Sequence, residues 1–188
     1  MPFDEMFSRW LPLRRKIDVA GNMIFGLLNR EPAFVQTQLL TIAVAAEALS
    51  RGLRPGALPM TPRDFERLLA EALKTLDPGD RERFEGLVRN EPTYRDRLLD
   101  LASIPSQVAV DLVLPDREGW ANSLRNVRNG LAHGLARDIG ELEELHQLFL
   151  RTKYLLYLVI MAEMGLSGSV QERCIRNNAP LMHLNNAG

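Results

Sequence analysis

Apolar residues recur at intervals of three and four along most of this chain, and this spacing restricts its fold more than any other feature. They keep it over Phe34–Leu49, after which Arg51 and Gly52 supply a cationic last turn and a stop. They keep it again from near Glu141 to Met164, the longest such stretch. No segment alternates apolar and polar residues for long enough to indicate a β-strand. The sequence therefore predicts an all-α protein.

Residues that begin and end helices divide the chain into segments. Thr61 followed by Pro62 is typical of an N-cap and a first-turn proline. We expect a single-domain bundle of about five to seven helices over residues 1–177, followed by a polar C-terminal tail over residues 178–188. One predicted helix, residues 116–130, has an apolar stripe that should face the core: Trp120, Leu124 and Val127.

The composition fits one globular domain, because 46% of the 188 residues are hydrophobic and 25% are charged. A net charge of −1 provides no overall field to attract nucleic acid, so RNA binding would need a local patch. The single Cys174 excludes an internal disulfide, and no cysteine or histidine cluster has the spacing of zinc ligands. We therefore expect no metal and no cofactor, and a protein of the reducing cytoplasm.

The sequence shows no targeting or membrane segment. The first ten residues, MPFDEMFSRW, are acidic at the front and lack the apolar core of a signal peptide. The most apolar run, Tyr154–Met164, is about half as long as the roughly 20 residues of a membrane span, and Glu163 interrupts it. We expect a soluble protein that does not enter a membrane.

The stretch RNVRNGLAHG, residues 125–134, places one of only three histidines at the predicted end of a helix. Three asparagines form a polar stripe along this helix, because they follow one another at steps of four and three, and two arginines flank them. These residues are Asn122, Asn126, Asn129, Arg125 and Arg128. Their concentration at one helix end makes this stretch the candidate functional site.

The spacing of Arg128 and His133 limits how they can act together. On a straight helix, side chains five residues apart point about 140° away from each other. Either the helix bends at Gly130, or the two residues meet across a two-fold dimer that brings two arginines and two histidines into one cleft.

Such a cleft suits cleavage of RNA by its own 2′-hydroxyl. That reaction needs a base of near-neutral pKa to accept the hydroxyl proton, an acid to protonate the departing 5′-oxygen and a fixed cation on the phosphate. Histidine and arginine supply these roles without a metal.

The sequence RNGLAHG resembles the signature of HEPN domains, which is an arginine, a polar residue, three further residues and a histidine. HEPN domains are all-α dimerising modules, and many are metal-independent endoribonucleases. The stretches QTQLLTIAVAAEALSRG and LRNVRNGLAHG together are similar to the HEPN domain of Apea-like antiphage defence proteins. The resemblance implies a homodimer that cleaves RNA in antiphage defence or toxin-like growth arrest, with Arg128, Asn129 and His133 as catalytic residues.

Apea-like proteins usually carry a large N-terminal domain, and nothing in this sequence corresponds to it. We expect the chain to be a standalone relative or the C-terminal part of a larger protein. A sensor domain or a neutralising partner would then control its activity.

Supporting residues are expected around this motif. Glu47 lies in the apolar run TIAVAAEALS, where a carboxylate needs a partner. It either orients Arg128 or His133 from a facing helix, or forms a structural salt bridge with an arginine. Arg125 and Asn126 are expected to contact RNA, although an arginine near a helix C-terminus is also favoured by the helix dipole.

Three other interpretations of the motif remain open. In a purely structural one, His133 caps the helix and Arg128 pairs with a nearby carboxylate. In a second, the chain is a non-catalytic HEPN module that binds a partner protein, RNA or a nucleotide. In a third, the motif serves only the packing of a dimer.

Overall fold

The computed structural model of the chain describes residues 2–27, 34–133 and 141–178. These residues form ten α-helices and no strand, which confirms the all-α prediction. The helices are α1 (Phe3–Lys16), α2 (Asp18–Gly26), α3 (Val35–Leu53), α4 (Pro62–Lys74), α5 (Pro78–Leu87), α6 (Tyr94–Ser103), α7 (Gln107–Val113), α8 (Arg117–Ala132), α9 (Leu142–Glu163) and α10 (Gly168–Arg176).

The prediction of five to seven helices was too low. The sequence pattern missed four helices, α1, α2, α7 and α10, of which the last three have nine residues or fewer. Helices α1 and α2 are separated by a single residue, Ile17, whose φ of −108° and ψ of 24° are not helical. Helix α7 has only seven residues, about two turns, which is too few to show a repeating apolar pattern. All but residue 178 of the predicted C-terminal tail lies outside the described residues.

The helices fall into two units, Met1–Leu53 with Tyr94–Gly188, and Arg54–Thr93. The smaller unit contains α4 and α5, neither of which has a buried residue. Helix α4 begins as the sequence predicts, because the Oγ1 of Thr61 accepts a hydrogen bond from the backbone N–H of Asp64 at 3.2 Å and Pro62 occupies the first turn.

The core of the larger unit is built around α3 and α9. Helix α3 contacts α2, α6, α8 and α9, and its inward residues Leu39, Ile42 and Leu49 are almost completely buried. Because α3 contacts α8, this core supports the helix that carries the candidate site.

None of the helices in the described residues is both long enough and apolar enough to cross a membrane.

The rotation of α8 is fixed by its apolar stripe. Trp120, Leu124 and Val127 are buried, as the sequence predicts. The indole N–H of Trp120 donates to the Oγ1 of Thr152 on α9 at 3.0 Å, so the ring is held by a hydrogen bond as well as by packing. The asparagine and arginine side chains of α8 are consequently turned away from the core.

The C-terminal end of α3 lies directly against the junction of α1 and α2. At Gly52, a Cβ atom would be only 2.4 Å from the backbone carbonyl oxygen of Lys16. Only glycine allows this close approach of two backbones.

Candidate active site

Helix α8 continues through Gly130 and ends at Ala132. Its first turn is capped by Asp116, whose Oδ1 accepts a hydrogen bond from the N–H of Gly119 at 2.8 Å. The backbone N–H of His133 donates to the carbonyl of Asn129 at 3.1 Å, as in a helix, and His133 forms the C-cap. A bend at Gly130 therefore does not bring the pair together, and Arg128 and His133 point in different directions around the axis.

Arg128 is held on three sides. Its Nη2 lies 3.2 Å from the Oε2 of Glu47 on α3, and its Nη1 donates to the Oδ1 of Asn129 at 3.2 Å. Its Cζ is 5.1 Å from the centre of the Tyr94 ring on α6, a cation–π distance. The side chain of Arg128 is 34% exposed, so part of the guanidinium still faces solvent.

Glu47 lies between two arginines. Its Oε1 is 3.2 Å from the Nη2 of Arg51, one turn further along α3, while its Oε2 faces Arg128. With only 23% of the Glu47 side chain exposed, the two cations compensate for the loss of water around the carboxylate. The sequence left open whether Glu47 faces Arg128, His133 or another arginine, and the structure places it against Arg128. The contact with Arg51 follows from the four-residue spacing on a helix.

Tyr94 is the third residue that contacts Arg128, and the sequence analysis did not predict its role. Its hydroxyl donates to the carbonyl of Ala43 on α3 at 3.0 Å. Burial raises the pKa of Tyr94 above its ordinary value, and the nearby Glu47 raises it further while Arg128 lowers it. The hydroxyl therefore stays protonated at physiological pH, and its bond to Ala43 fixes the ring beneath the guanidinium.

Replacing Tyr94 by phenylalanine is expected to lower the free energy of unfolding by about 1 kcal/mol, because the carbonyl of Ala43 loses its donor while the ring remains. Urea unfolding followed by circular dichroism measures the change. The matched control is Tyr157→Phe, because the Tyr157 hydroxyl is buried and has no hydrogen-bond partner among the described residues. This control should be neutral or stabilising, and equal effects of the two substitutions would contradict the assigned bond.

His133 lies on a different surface from Arg128. Its side chain is exposed and lines a groove of about 960 Å³ between α8 and α9. Arg128 is not among the described residues that line this groove. Asn129 belongs to both surfaces, because it lines the groove and its Oδ1 accepts from Arg128. The structure thus groups Arg128 with Glu47 and Asn129, and His133 with Asn129 and Asn126.

The remaining polar residues of α8 have distinct surroundings. Asn126 lines the groove, and its Oδ1 accepts hydrogen bonds from the exposed Arg125 at 3.2 and 3.3 Å. Asn122 instead accepts a hydrogen bond from Arg95 at 3.0 Å, and Arg95 also pairs with Glu118. The predicted asparagine stripe is therefore divided, since its first member belongs to a surface ion-pair network.

Both features of the purely structural interpretation are present. His133 caps α8, and Arg128 pairs with a carboxylate. Neither feature occupies the imidazole of His133, because the cap uses its backbone N–H. Within the described residues, no group of three or more histidine, cysteine, aspartate or glutamate side chains is placed to hold a metal ion.

Comparison with protein families matches residues 40–169 to the family described as Apea-like HEPN. The match covers more than half of the 188 residues and contains Glu47, Tyr94, Arg128 and His133. The chain belongs to the Apea-like HEPN family. No curated protein and no solved structure matches this HEPN domain. Helices α1 and α2 lie before the matched residues.

Proposed function

We propose that this HEPN domain is a metal-independent endoribonuclease that acts as a homodimer in the cytoplasm, in antiphage defence or toxin-like growth arrest. The observation that carries the proposal is the arrangement around α8. Arg128 is held in a partly exposed position by Glu47, Asn129 and Tyr94, while His133 presents to a groove at the end of the same helix an imidazole that has no hydrogen-bond partner among the described residues.

The proposed reaction is attack of a ribose 2′-hydroxyl on the adjacent phosphorus. One His133 accepts the hydroxyl proton as the new P–O bond forms, and a second histidine donates a proton to the 5′-oxygen as the old P–O bond breaks. Arg128 stabilises the charge on the phosphate, and Asn129 positions Arg128. The products are a 2′,3′-cyclic phosphate and a free 5′-hydroxyl, so no cofactor is consumed.

The directions of the two side chains support the proposed dimer. Within one protomer, Arg128 and His133 lie about 140° apart around α8, so they do not converge on one phosphate. A two-fold axis beside α8 would place Arg128 opposite His133 of the partner subunit. Arg125 and Asn126, which lie on the exposed side of α8, would then contact the RNA beside the cleft.

The pairing of Arg128 with Glu47 favours a second candidate, a non-catalytic HEPN module that binds a partner protein, RNA or a nucleotide. A carboxylate 3.2 Å from the guanidinium neutralises part of the charge that a phosphate would need. In that case the motif maintains the fold and the imidazole of His133 has no chemical role.

Incubation of the purified chain with total RNA in excess EDTA tests the proposed function. We expect cleavage products that end in 2′,3′-cyclic phosphates, detected because phosphatase alone does not remove the group whereas mild acid treatment opens the ring first. Intact RNA would reject the nuclease and leave the non-catalytic module.

Light scattering on the same sample tests the dimer, because one chain has a mass of 21.2 kDa. A mass of one chain in a cleaving sample would exclude the shared cleft. If the motif serves only packing, Arg128→Ala should shift the mass from two chains to one.

A further inference from the structure

We propose that Arg151 on α9 binds a backbone phosphate of the RNA several nucleotides away from the bond that is cleaved, and that the groove between α8 and α9 connects the two positions. Arg151 and His133 both line this groove. The inference rests on the proposed function for its substrate, and it gives a binding role to a residue that the reaction itself does not use. It predicts that a good substrate has a minimum length.

Arg151 and His133 lie at opposite ends of the groove. The indole N–H of Trp120 donates to the Oγ1 of Thr152, so Trp120 on α8 is level with Thr152 on α9. Arg151 precedes Thr152, and its Nη1 donates at 2.6 Å to the carbonyl of Val113, the last residue of α7. His133 follows Trp120 by 13 residues, which corresponds to roughly 20 Å along a helix. One phosphate therefore cannot contact both side chains, and Arg151 would bind a different phosphate from the one attacked at His133.

Arg151 is a cation without an anionic partner among the described residues. It is half-buried, and burial lowers the pKa of its guanidinium below the ordinary value, although the group stays charged at physiological pH. Its hydrogen bond goes to a neutral carbonyl, and none of the described carboxylates lies within ion-pair distance of it. A charge that has lost part of its water is normally compensated by an opposite charge. The surroundings of Arg151 therefore favour an anion that comes from outside the chain.

The two carboxylates that line the groove are engaged in helix caps. The Oδ1 of Asp116 accepts from the N–H of Gly119 at 2.8 Å, and Glu144 accepts from the backbone N–H of Glu141 at 3.3 Å. The remaining N–H groups of Arg151 have no partner among the described residues. A guanidinium with two open N–H groups suits a phosphate, because it can bind two phosphate oxygens with parallel hydrogen bonds.

A row of neutral donors on α8 joins the two ends of the groove. Ser123, Asn126 and Asn129 line the groove at steps of three residues, so they project from one face of the helix. The Oδ1 of each asparagine accepts a hydrogen bond from the arginine immediately before it, which leaves the amide NH2 as a donor. Hydroxyl and amide donors are common contacts of a nucleic-acid backbone. The row therefore offers hydrogen bonds to the RNA backbone along the path from one end to the other.

Binding to a non-cleaving protein measures the role of Arg151 separately from cleavage. We would titrate the His133→Ala chain with a labelled oligouridylate of about twelve nucleotides and follow fluorescence anisotropy at several salt concentrations. Adding Arg151→Gln should weaken binding by about tenfold, because a charge-assisted hydrogen bond is lost. It should also reduce the slope of log affinity against log salt by about 0.7, the value of one phosphate contact. Arg15→Gln removes the same charge from an exposed position on α1 and should leave both quantities unchanged.

A second variant leaves the bond between Arg151 and Val113 intact. Gln147 lines the groove one turn before Arg151, so Gln147→Glu would place a carboxylate where it can pair with the guanidinium. We expect native circular dichroism and about tenfold weaker RNA binding, because this ion pair competes with the phosphate. The matched control is Gln38→Glu, a half-buried position on α3 that does not line the groove, and it should bind RNA with unchanged affinity.

Cleavage of RNAs of different length tests the distance between the two positions. A dinucleotide has only the scissile phosphate, so Arg151→Gln should leave its kcat/KM unchanged while lowering that of the long oligouridylate by about tenfold. A purely structural role of Arg151 would lower both.

Unchanged affinity and salt slope in both Arg151→Gln and Gln147→Glu, or an equal loss of cleavage for the dinucleotide and the long RNA, would overturn the inference. If wild-type protein still cuts RNA under the first outcome, the proposed nuclease survives and only the assignment of Arg151 falls. A reduced salt slope in Arg151→Gln without any cleavage by wild type would instead reject the nuclease and retain the phosphate site.

Discussion

Replacing His133 by alanine is expected to lower the rate of RNA cleavage by about 10²- to 10⁴-fold, the usual contribution of a general acid or base. The fold should not change, because the side chain is exposed and the cap of α8 is made by the backbone N–H of His133. Single-turnover cleavage of a labelled RNA measures the chemical step separately from binding.

The control for this prediction is another histidine. His146 is exposed on α9, does not line the groove and is replaceable without disturbing the described contacts, so His146→Ala should cut RNA at the wild-type rate. An unchanged rate in His133→Ala would remove this residue from the mechanism. An equal loss in both variants would show that the effect is not specific to the groove.

Replacing Gly52 by alanine is expected to destabilise the protein by about 1–3 kcal/mol, the range for forcing extra atoms into a packed site. A glycine within a helix normally gains up to about 1 kcal/mol on this substitution, so the predicted sign is opposite to the helix propensity. The reason is the backbone of a neighbouring segment, because the new methyl group would lie 2.4 Å from the carbonyl oxygen of Lys16 and 3.7 Å from the Cα of Ile17. Ile17 is 1% exposed, so this segment has little freedom to move away.

Thermal unfolding of Gly52→Ala and Gly86→Ala side by side checks this sign. Gly86 lies within α5, and no heavy atom would come within 4 Å of a Cβ there. Gly86→Ala should therefore leave the stability unchanged or raise it, as helix propensity predicts. A melting temperature of Gly52→Ala at or above that of wild type would show that the α1–α2 junction yields easily.

Long amphipathic helices were predictable because their apolar residues repeat often enough to define a face. This holds for α3, α8 and α9, and for the start of α4 at Thr61 and Pro62. Helix α2 escaped prediction because it has only nine residues, and its boundary with α1 depends on the backbone of one residue, Ile17. Short helices depend on tertiary packing rather than on a local pattern.

The residues of the candidate site were predictable only where a local sequence pattern indicates them. A carboxylate in an apolar run needs a cationic partner, and Glu47 indeed faces Arg128. The role of Tyr94 depends on how α6 packs beside α8, which no spacing within either helix reveals. The separation of Arg128 from the groove is equally a result of packing, since it follows from the direction in which the buried Trp120 and Val127 turn α8.

The contacts around Arg128 also affect how much side-chain entropy this residue would lose on binding a ligand. A free arginine side chain loses about 2 kcal/mol of rotamer entropy when a ligand immobilises it. In this protein Glu47, Asn129 and Tyr94 have already restricted the guanidinium during folding, before any RNA arrives. If Arg128 binds the scissile phosphate as proposed, the phosphate would meet a side chain whose rotamers are already restricted, and the entropy loss would belong to folding rather than to binding.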